Sequence, residues 1–580
     1  MMIRRTLAVG LLLALAACTS RETPPPLPAP LASAVEVLDE RGGLVLAQEG
    51  WGDGATALVY LAQGWNPVET LWYYFADQGS GFMPYATLVH LEQPGSDKPF
   101  ILPENMARFR FLPQRKTPNN PDALPVGMVR HEDKVGLTCA ACHTAQINYR
   151  GTAMRIDGAP SLVDVFGIFP EVVAAIKATL ADEAKLARFA AKAMPGGDDA
   201  SRLAAAKASL TDTLRWFESY LAANRSSTVE GFARMDAVGR ILNQVIRFTS
   251  DPKHSLEPNA PANFPHLWDA PRHDYVQWPG FSPNAGAGSV GRNAGEVVGT
   301  FGQVQVKHYE TKEEAKRGYP SSVQGMALVR MEETLRKLRS PLWPETILPP
   351  IDLALASRGE TLYNSQCLSC HARIDRADPR RRVTAMVTGI DVVGTDPQEA
   401  RNLVSARAPT GVLEGAINTT TGEKYGAEAS GLALLRDVVG GALAAQPAAA
   451  AAAIVNAKAH GIEQTEKQGD HRKATTADPT ADLMAYKARP LNGIWATAPY
   501  LHNGSVPTLY DLLLPPASRP RTFTLGRREY DPRKVGYVSD GDVPFVVDTS
   551  VTGNGNGGHE YGVTLSDADR WALVEYLKTL

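Results

Sequence analysis

Cys139-Ala140-Ala141-Cys142-His143 and Cys367-Leu368-Ser369-Cys370-His371 repeat one pattern, Cys-x-x-Cys-His, and hold four of the five cysteines in this 580-residue chain. Two thiols so spaced can form thioethers to the two vinyl groups of one haem, and the adjoining histidine is placed to bind its iron. The repeat therefore predicts two covalently bound haems c, one held by Cys139, Cys142 and His143, the other by Cys367, Cys370 and His371. Disulfides within the pairs would leave the two histidines unexplained. A four-thiolate zinc site would make both histidines redundant. The fold class expected from this is mainly α: two cytochrome c-type haem domains with long loop insertions.

Outward from the motifs, the chain reads as two halves. Residues 35–340 form the expected N-terminal haem domain and residues 341–580 the C-terminal one, with Pro341, Pro344, Pro349 and Pro350 clustered between them as a linker. Ala55 to Phe75 mixes aromatic and apolar residues, and Tyr73 and Tyr74 read equally as core or pocket wall. Pro113, Pro118, Pro121 and Pro125 mark loops before the first motif. Behind it, Glu171 to Ala193 and Ala200 to Arg225 carry apolar residues at helical spacing, separated by the turn Pro195-Gly196-Gly197. Ala354 to Gln366 predicts a helix leading directly into Cys367. Ala442 to Ala459, interrupted by Pro447, reads as a surface helix or a mobile loop. Ser566 is an N-cap candidate for a packed terminal helix carrying Trp571, Leu573, Val574 and Leu577.

The fifth cysteine bears on location. Arg4 and Arg5 precede the apolar run Leu7 to Ala16, so residues 1–17 read as an export signal, and Leu15-Ala16-Ala17-Cys18 resembles the lipobox of bacterial lipoproteins. Cys18 is then expected to be lipidated, with 18–34 as a proline-rich tether. The alternative is an ordinary cleaved signal. Both readings export the chain; the first puts it on the periplasmic face of a bacterial membrane, held through lipid alone. A formal charge of −3, 44% hydrophobic and 21% charged residues give no bias toward nucleic acid.

The second axial position of each iron separates electron carriers from catalysts. No methionine follows Met484, leaving His502 and His559 as candidates for the second haem. His559 lies in Gly557-Gly558-His559-Glu560-Tyr561-Gly562, where glycines let the backbone approach a flat ring closely, and it is favoured as the ligand.

Around these sites the sequence resembles the bacterial dihaem cytochrome c peroxidase superfamily, which includes the MauG-type maturation enzyme, and within it most closely the rubber-oxygenase-like branch. The resemblance rests on Thr138 to Thr144, on Arg155-Ile156-Asp157-Gly158-Ala159-Pro160, on the stretch from Arg489 to Leu509 and on Gly558 to Gly562. It implies a division of labour: a reaction-site haem bound by His143 and a relay haem closed by His371 and His559. Ordinary peroxidases of this group use methionine at that second site, and imidazole lowers the potential. His502 becomes a neighbour of the haem instead of a ligand.

Peroxide cleavage needs a group that takes a proton from one oxygen and returns it to the other. Arg292 and Glu296 share a helix face if residues 291–301 are helical, with Glu296 as acid–base group and Arg292 stabilising developing charge. An i,i+4 ion pair on a solvated helix is the plainer alternative. Trp268 and Trp278 are candidates to carry electrons between haems or to fill core, and Trp278 is favoured as the bridge. The leading expectation is an exported peroxidase reducing hydrogen peroxide with electrons from a small donor protein or cytochrome. The others are an oxygenase using O2 on an apolar substrate and a non-enzymatic electron carrier. A calcium ion between the domains is not legible in the sequence.

Overall fold

Thr138 is extended, and its hydroxyl accepts a hydrogen bond from the Ala140 amide, capping the short helix Cys139–Cys142. The chain leaves His143 directly into a hairpin, Thr144–Tyr149 antiparallel to Thr152–Asp157. Arg150 and Gly151 both have positive φ, 49° and 81°, as a two-residue type I′ connection requires. Thr152–Asp157 also pairs in parallel with Ala57–Leu61, which Val35–Glu36 flanks. The computed structural model describes residues 35–36, 39–463, 465–541, 543 and 545–580. The expected signal, Cys18 and the proline-rich tether lie outside these residues.

The mainly α expectation is overturned: 38% of residues are helical and 14% lie in strands spread over several sheets, a mixed α/β fold. The hairpin shows why. Thr144 to Tyr149 alternates polar and apolar residues and so carries the period-2 signal of a strand, which the motif-based expectation of a helical haem domain does not use; in the fold Thr144 to Asn148 and Ala153 to Asp157 are buried on both faces. Arg-Gly is also a weaker hairpin signal than Asn-Gly.

The helical segments after the first motif are present but divided differently. Ile168–Ala181 and Glu183–Ala193 are separate helices, because Asp182 turns extended and accepts from the Ala184 and Lys185 amides as a cap. Together with Asp199–Ala223 they enclose an aromatic cluster in which Phe169 meets Phe217 at 4.9 Å and Phe301 at 5.6 Å. Ala141 and Cys142 belong to the same apolar core, so the first motif is backed by packed rings.

In the second half, Leu353–Gln366 packs along the terminal helix Asp567–Leu577, capped by Ser566. Gly359 permits the approach, since a Cβ there would lie 2.0 Å from the Ala572 carbonyl oxygen. The proline cluster is packed: Trp343 donates to the Pro349 carbonyl and meets Trp495 at 5.3 Å. Pro447 begins the helix Pro447–Ala459, and Ala449, Ala453 and Ala457 are buried, so the alanine-rich segment is a half-buried helix. No described helix is by itself long and apolar enough to cross a membrane.

The chain then returns to the first motif's surroundings. Ala485–Ala488 pairs with Met386–Gly389, Trp268 donates to the Asn492 carbonyl, and Arg110 and Arg528 share the buried Glu49 at 2.5 and 2.7 Å. Residues from 39 onward belong to one compact unit.

Candidate functional site

Each Cys-x-x-Cys-His pentapeptide edges its own cavity. Neither thiol pair forms a disulfide. Burial pushes the Cys139 thiol up to about 11 and Cys367 up to about 12, with Cys142 raised beyond that. Among the described residues, no three His, Cys, Asp or Glu side chains converge to hold a metal ion.

At the second motif the helix ends on Cys367, and the His371 amide donates to the Cys367 carbonyl, setting the histidine over the cavity. His371 Nδ1 lies 2.6 Å from the Arg489 carbonyl. A carbonyl only accepts, so Nδ1 carries the proton and Nε2 is left with a free lone pair. His559 reaches the same cavity from far along the chain. Its φ of 48° follows a φ of 67° at Gly558, where a Cβ would lie 2.1 Å from the Gly394 backbone, and its amide donates to the Val393 carbonyl at 2.7 Å. The Arg519 guanidinium binds the loop from outside, donating to the carbonyls of Asn556, Gly558 and His559 at 2.6, 2.9 and 3.2 Å. Burial, reinforced by the neighbouring His371 ring and the Arg519 charge, brings His559 down to about 3, so the ring is neutral.

The rings of His371 and His559 stand 6.2 Å apart, centre to centre. An imidazole nitrogen binds a transition metal at ~2.0–2.1 Å with its ring centre ~1.1 Å further back, so two imidazoles on opposite sides of one ion would be spaced by about 6.3 Å, against about 5 Å for two on a tetrahedral ion. The residues therefore fit haem c: thiols at its edge, a fixed Nε2 on one side and a neutral imidazole at ligating distance on the other. His502 lines this cavity too, but it stacks on Tyr486 at 3.9 Å.

At the first motif, the His143 carbonyl accepts from the Tyr73 hydroxyl at 2.7 Å and the Gly158 amide at 2.8 Å. Tyr73 is thus both core and pocket support, while Tyr74 donates to Asp157. Burial brings His143 down to about 4, against a weaker opposing pull from the nearby Pro265 carbonyl, and its Nδ1 has no hydrogen-bond partner. The other histidine in this wall, His266, stacks on Trp268 at 4.5 Å, and the ring contact of His143 is with Phe264.

The helix Gly288–Gly299 supplies Arg292, Asn293 and Glu296 to this cavity. Glu296 accepts from Gln277 Nε2 at 2.6 Å, and burial holds its carboxyl above the usual range against the opposing effects of Gln277 and Arg292. The simple i,i+4 pair does not form: Arg292 donates to Glu332, Asn284 and Asn293 at 2.6, 2.8 and 2.8 Å. Its guanidinium is thus tied into the wall. A second carboxylate, Glu399, faces the cavity at 5% exposure with Oε2 unpartnered.

The cavities share a wall that includes Asn263, Phe264, Trp278, Lys487 and Arg489. Trp278 spans it, donating to the Asn263 carbonyl at 2.9 Å and accepting the Lys487 amide at 2.8 Å on its own carbonyl. Trp268 lines neither cavity and is fully buried. Gln277, Glu399, Lys487 and Arg519 were not among the sequence candidates. Only the positive φ of Gln277, 69°, is a local anomaly, and it is invisible in the sequence.

A cavity edged by Cys-x-x-Cys-His and closed by distant loop residues defines a c-type cytochrome. Residues 485–524, which contribute Lys487, Arg489, His502 and Arg519, match the family model described as RoxA-like, cytochrome c-like. The protein y4iJ of Sinorhizobium fredii (strain NBRC 101917 / NGR234), described as uncharacterized, is 32% identical across 90% of this chain and 93% of its own length. A second uncharacterized protein of that strain, y4iM, is 43% identical over 127 residues, 18% of this chain and 29% of y4iM. The chain belongs to the family of y4iJ, and the match over 485–524 links it to the RoxA-like cytochromes: an oxidoreductase with covalently bound haem c, acting in electron transfer or oxidation.

Proposed function

We propose that the protein carries two haems c and reduces hydrogen peroxide at the one bound by Cys139, Cys142 and His143, with electrons relayed from an external donor through the one held by Cys367, Cys370, His371 and His559. The observation that carries this reading is the difference between the cavities: an imidazole whose ring centre lies 6.2 Å from that of His371, and a buried carboxyl in the wall of the cavity that His143 lines. Haem c supplies an iron that binds peroxide and delivers the electrons that split its O–O bond. Reduction consumes two electrons and two protons per peroxide and yields two waters. Glu296 is the group that moves protons, since its raised affinity lets it hold and release one nearer neutrality. Gln277 fixes the carboxyl, Arg292 places positive charge near it, and Trp278 offers a ring common to both cavities.

The RoxA-like match favours a second reading, O2-dependent cleavage of an apolar substrate at the same haem. Peroxide-dependent oxidation of a reduced cytochrome, run beside oxygen uptake on an apolar polyene, separates the two. Peroxide turnover that falls in Glu296→Gln supports the peroxidase; oxygen uptake without peroxide turnover replaces it with the oxygenase. We further propose that Cys18 is lipidated and anchors the protein at the periplasmic face of a bacterial membrane; release of Cys18→Ser into the soluble fraction is the expected result.

A further inference from the structure

Lys487 and Arg489 are buried cationic side chains with donor capacity to spare. Lys487 is 6% exposed, and its ammonium, which can donate three hydrogen bonds, makes one, to the Tyr275 carbonyl at 2.9 Å. Arg489 is 8% exposed; one nitrogen donates to the His266 carbonyl at 2.7 Å, and its Nε is buried without a partner. Neither is ion-paired with a carboxylate among the described residues: Asp274, which favours the charged form of Lys487, is bound by Thr465, and Asp269, which does so for Arg489, pairs with Arg381. Burial and the neighbouring Arg489 charge, against the opposing pull of Asp274, push Lys487 far below the ordinary lysine range, so its ammonium form calls for an anion close by. An unpaired buried cation is costly unless an anion joins it. Both side chains stand in the wall common to the two cavities, beside Trp278.

Resting on the two-haem reading, we infer that Lys487 and Arg489 form a shared cationic seat for the carboxylates of the bound cofactors, the haem propionates, placed between the two cavities so that one charge pair acts on both irons. Propionates are the acidic groups that a haem brings to each cavity, and pairing would complete the donor sets of both side chains. A cation held there stabilises the reduced form of each haem, so it raises both potentials together.

The test is a spectroelectrochemical titration of the holoprotein as wild type, Lys487→Met and Lys487→Arg, with haem counted by pyridine haemochrome. Covalent attachment through the cysteines keeps haem in place, and the expected result is a fall of both midpoint potentials in Lys487→Met, with Lys487→Arg remaining near wild type. Unchanged potentials in Lys487→Met with two haems bound, or a fall in one potential only, overturn the shared seat. If Lys487→Met does not fold, the propionate bending bands of the resonance Raman spectrum decide: displacement in Lys487→Arg and Arg489→Gln supports the seat, and bands identical to wild type overturn it. One haem per wild-type chain would refute the two-haem reading itself, an outcome separate from any of these.

Discussion

The two cavities begin from the same pentapeptide and diverge in what distant chain brings to them. Beyond His371, a glycine-rich loop from residues 556–562 delivers a second imidazole, and Arg519 fastens that loop by three carbonyls. Beside His143, a helix delivers a carboxyl held by Gln277. The comparison teaches that one pentapeptide can sit in two different surroundings, because backbone placed far away in sequence decides whether a second imidazole or a buried carboxyl faces its cavity. A closed iron favours electron relay, and an open one favours chemistry.

The largest expected effect breaks the comparison at the open side. Glu296→Gln keeps the shape and the Gln277 contact but cannot move a proton, so peroxide turnover should fall by ~10²–10⁴-fold in kcat, with both haem spectra unchanged. Turnover within a few-fold of wild type would move the acid–base role elsewhere, and Glu399 is then the next carboxyl to replace. On the closed side, Arg519→Gln removes the charged clamp on the 556–559 carbonyls. Loss of such outer support typically costs about 10–100-fold in metal affinity or activity. Exogenous cyanide or imidazole should then compete for the C-terminal haem while the N-terminal one binds them as in wild type; equal competition in both proteins would leave Arg519 without this role.

A smaller effect tests what joins the two sides. Trp278→Phe keeps a ring in the shared wall but loses the indole and its bond to the Asn263 carbonyl, and inter-haem electron transfer measured by stopped flow should slow about tenfold, or ~1.4 kcal/mol on the barrier. Trp268→Phe, outside both cavities, serves as the comparison and should leave that rate unchanged. The smallest effect is on stability. A carboxyl whose affinity is raised by folding makes the fold most stable below its unfolded value and costs stability as pH climbs past it. Glu296→Gln should therefore match wild type in thermal stability near pH 4 and exceed it at pH 7; a variant less stable at pH 7 would show that Glu296 is held for packing.

Much of the closed cavity was legible. The second motif and the glycines flanking His559 single out residues that meet in that cavity, while the close approach that Gly558 permits is to the Gly394 backbone. Arg519 was not legible, because its partners are carbonyl oxygens and such bonds leave no residue pattern. The open cavity was half legible: the spacing of Arg292 and Glu296 gave one helix face, but their partners Glu332 and Gln277 lie 40 and 19 residues away. The fold class failed for the hairpin Thr144–Asp157: the alternation over Thr144 to Tyr149 is legible as a strand, but Ala153-Met154 interrupts it in the partner strand and Arg150-Gly151 is a weak turn signal. The break at Asp182 was missed because apolar spacing runs through it, although Asp there is an ordinary cap.

The asymmetry is most directly tested by the EPR spectrum of the fully oxidised holoprotein with two haems confirmed by pyridine haemochrome. One high-spin signal from the His143 haem and one low-spin signal from the haem between His371 and His559 is the expected result, with His559→Ala converting the low-spin signal to high-spin. Two low-spin signals that persist after partial reduction, without peroxide turnover, would contradict it and leave an electron carrier.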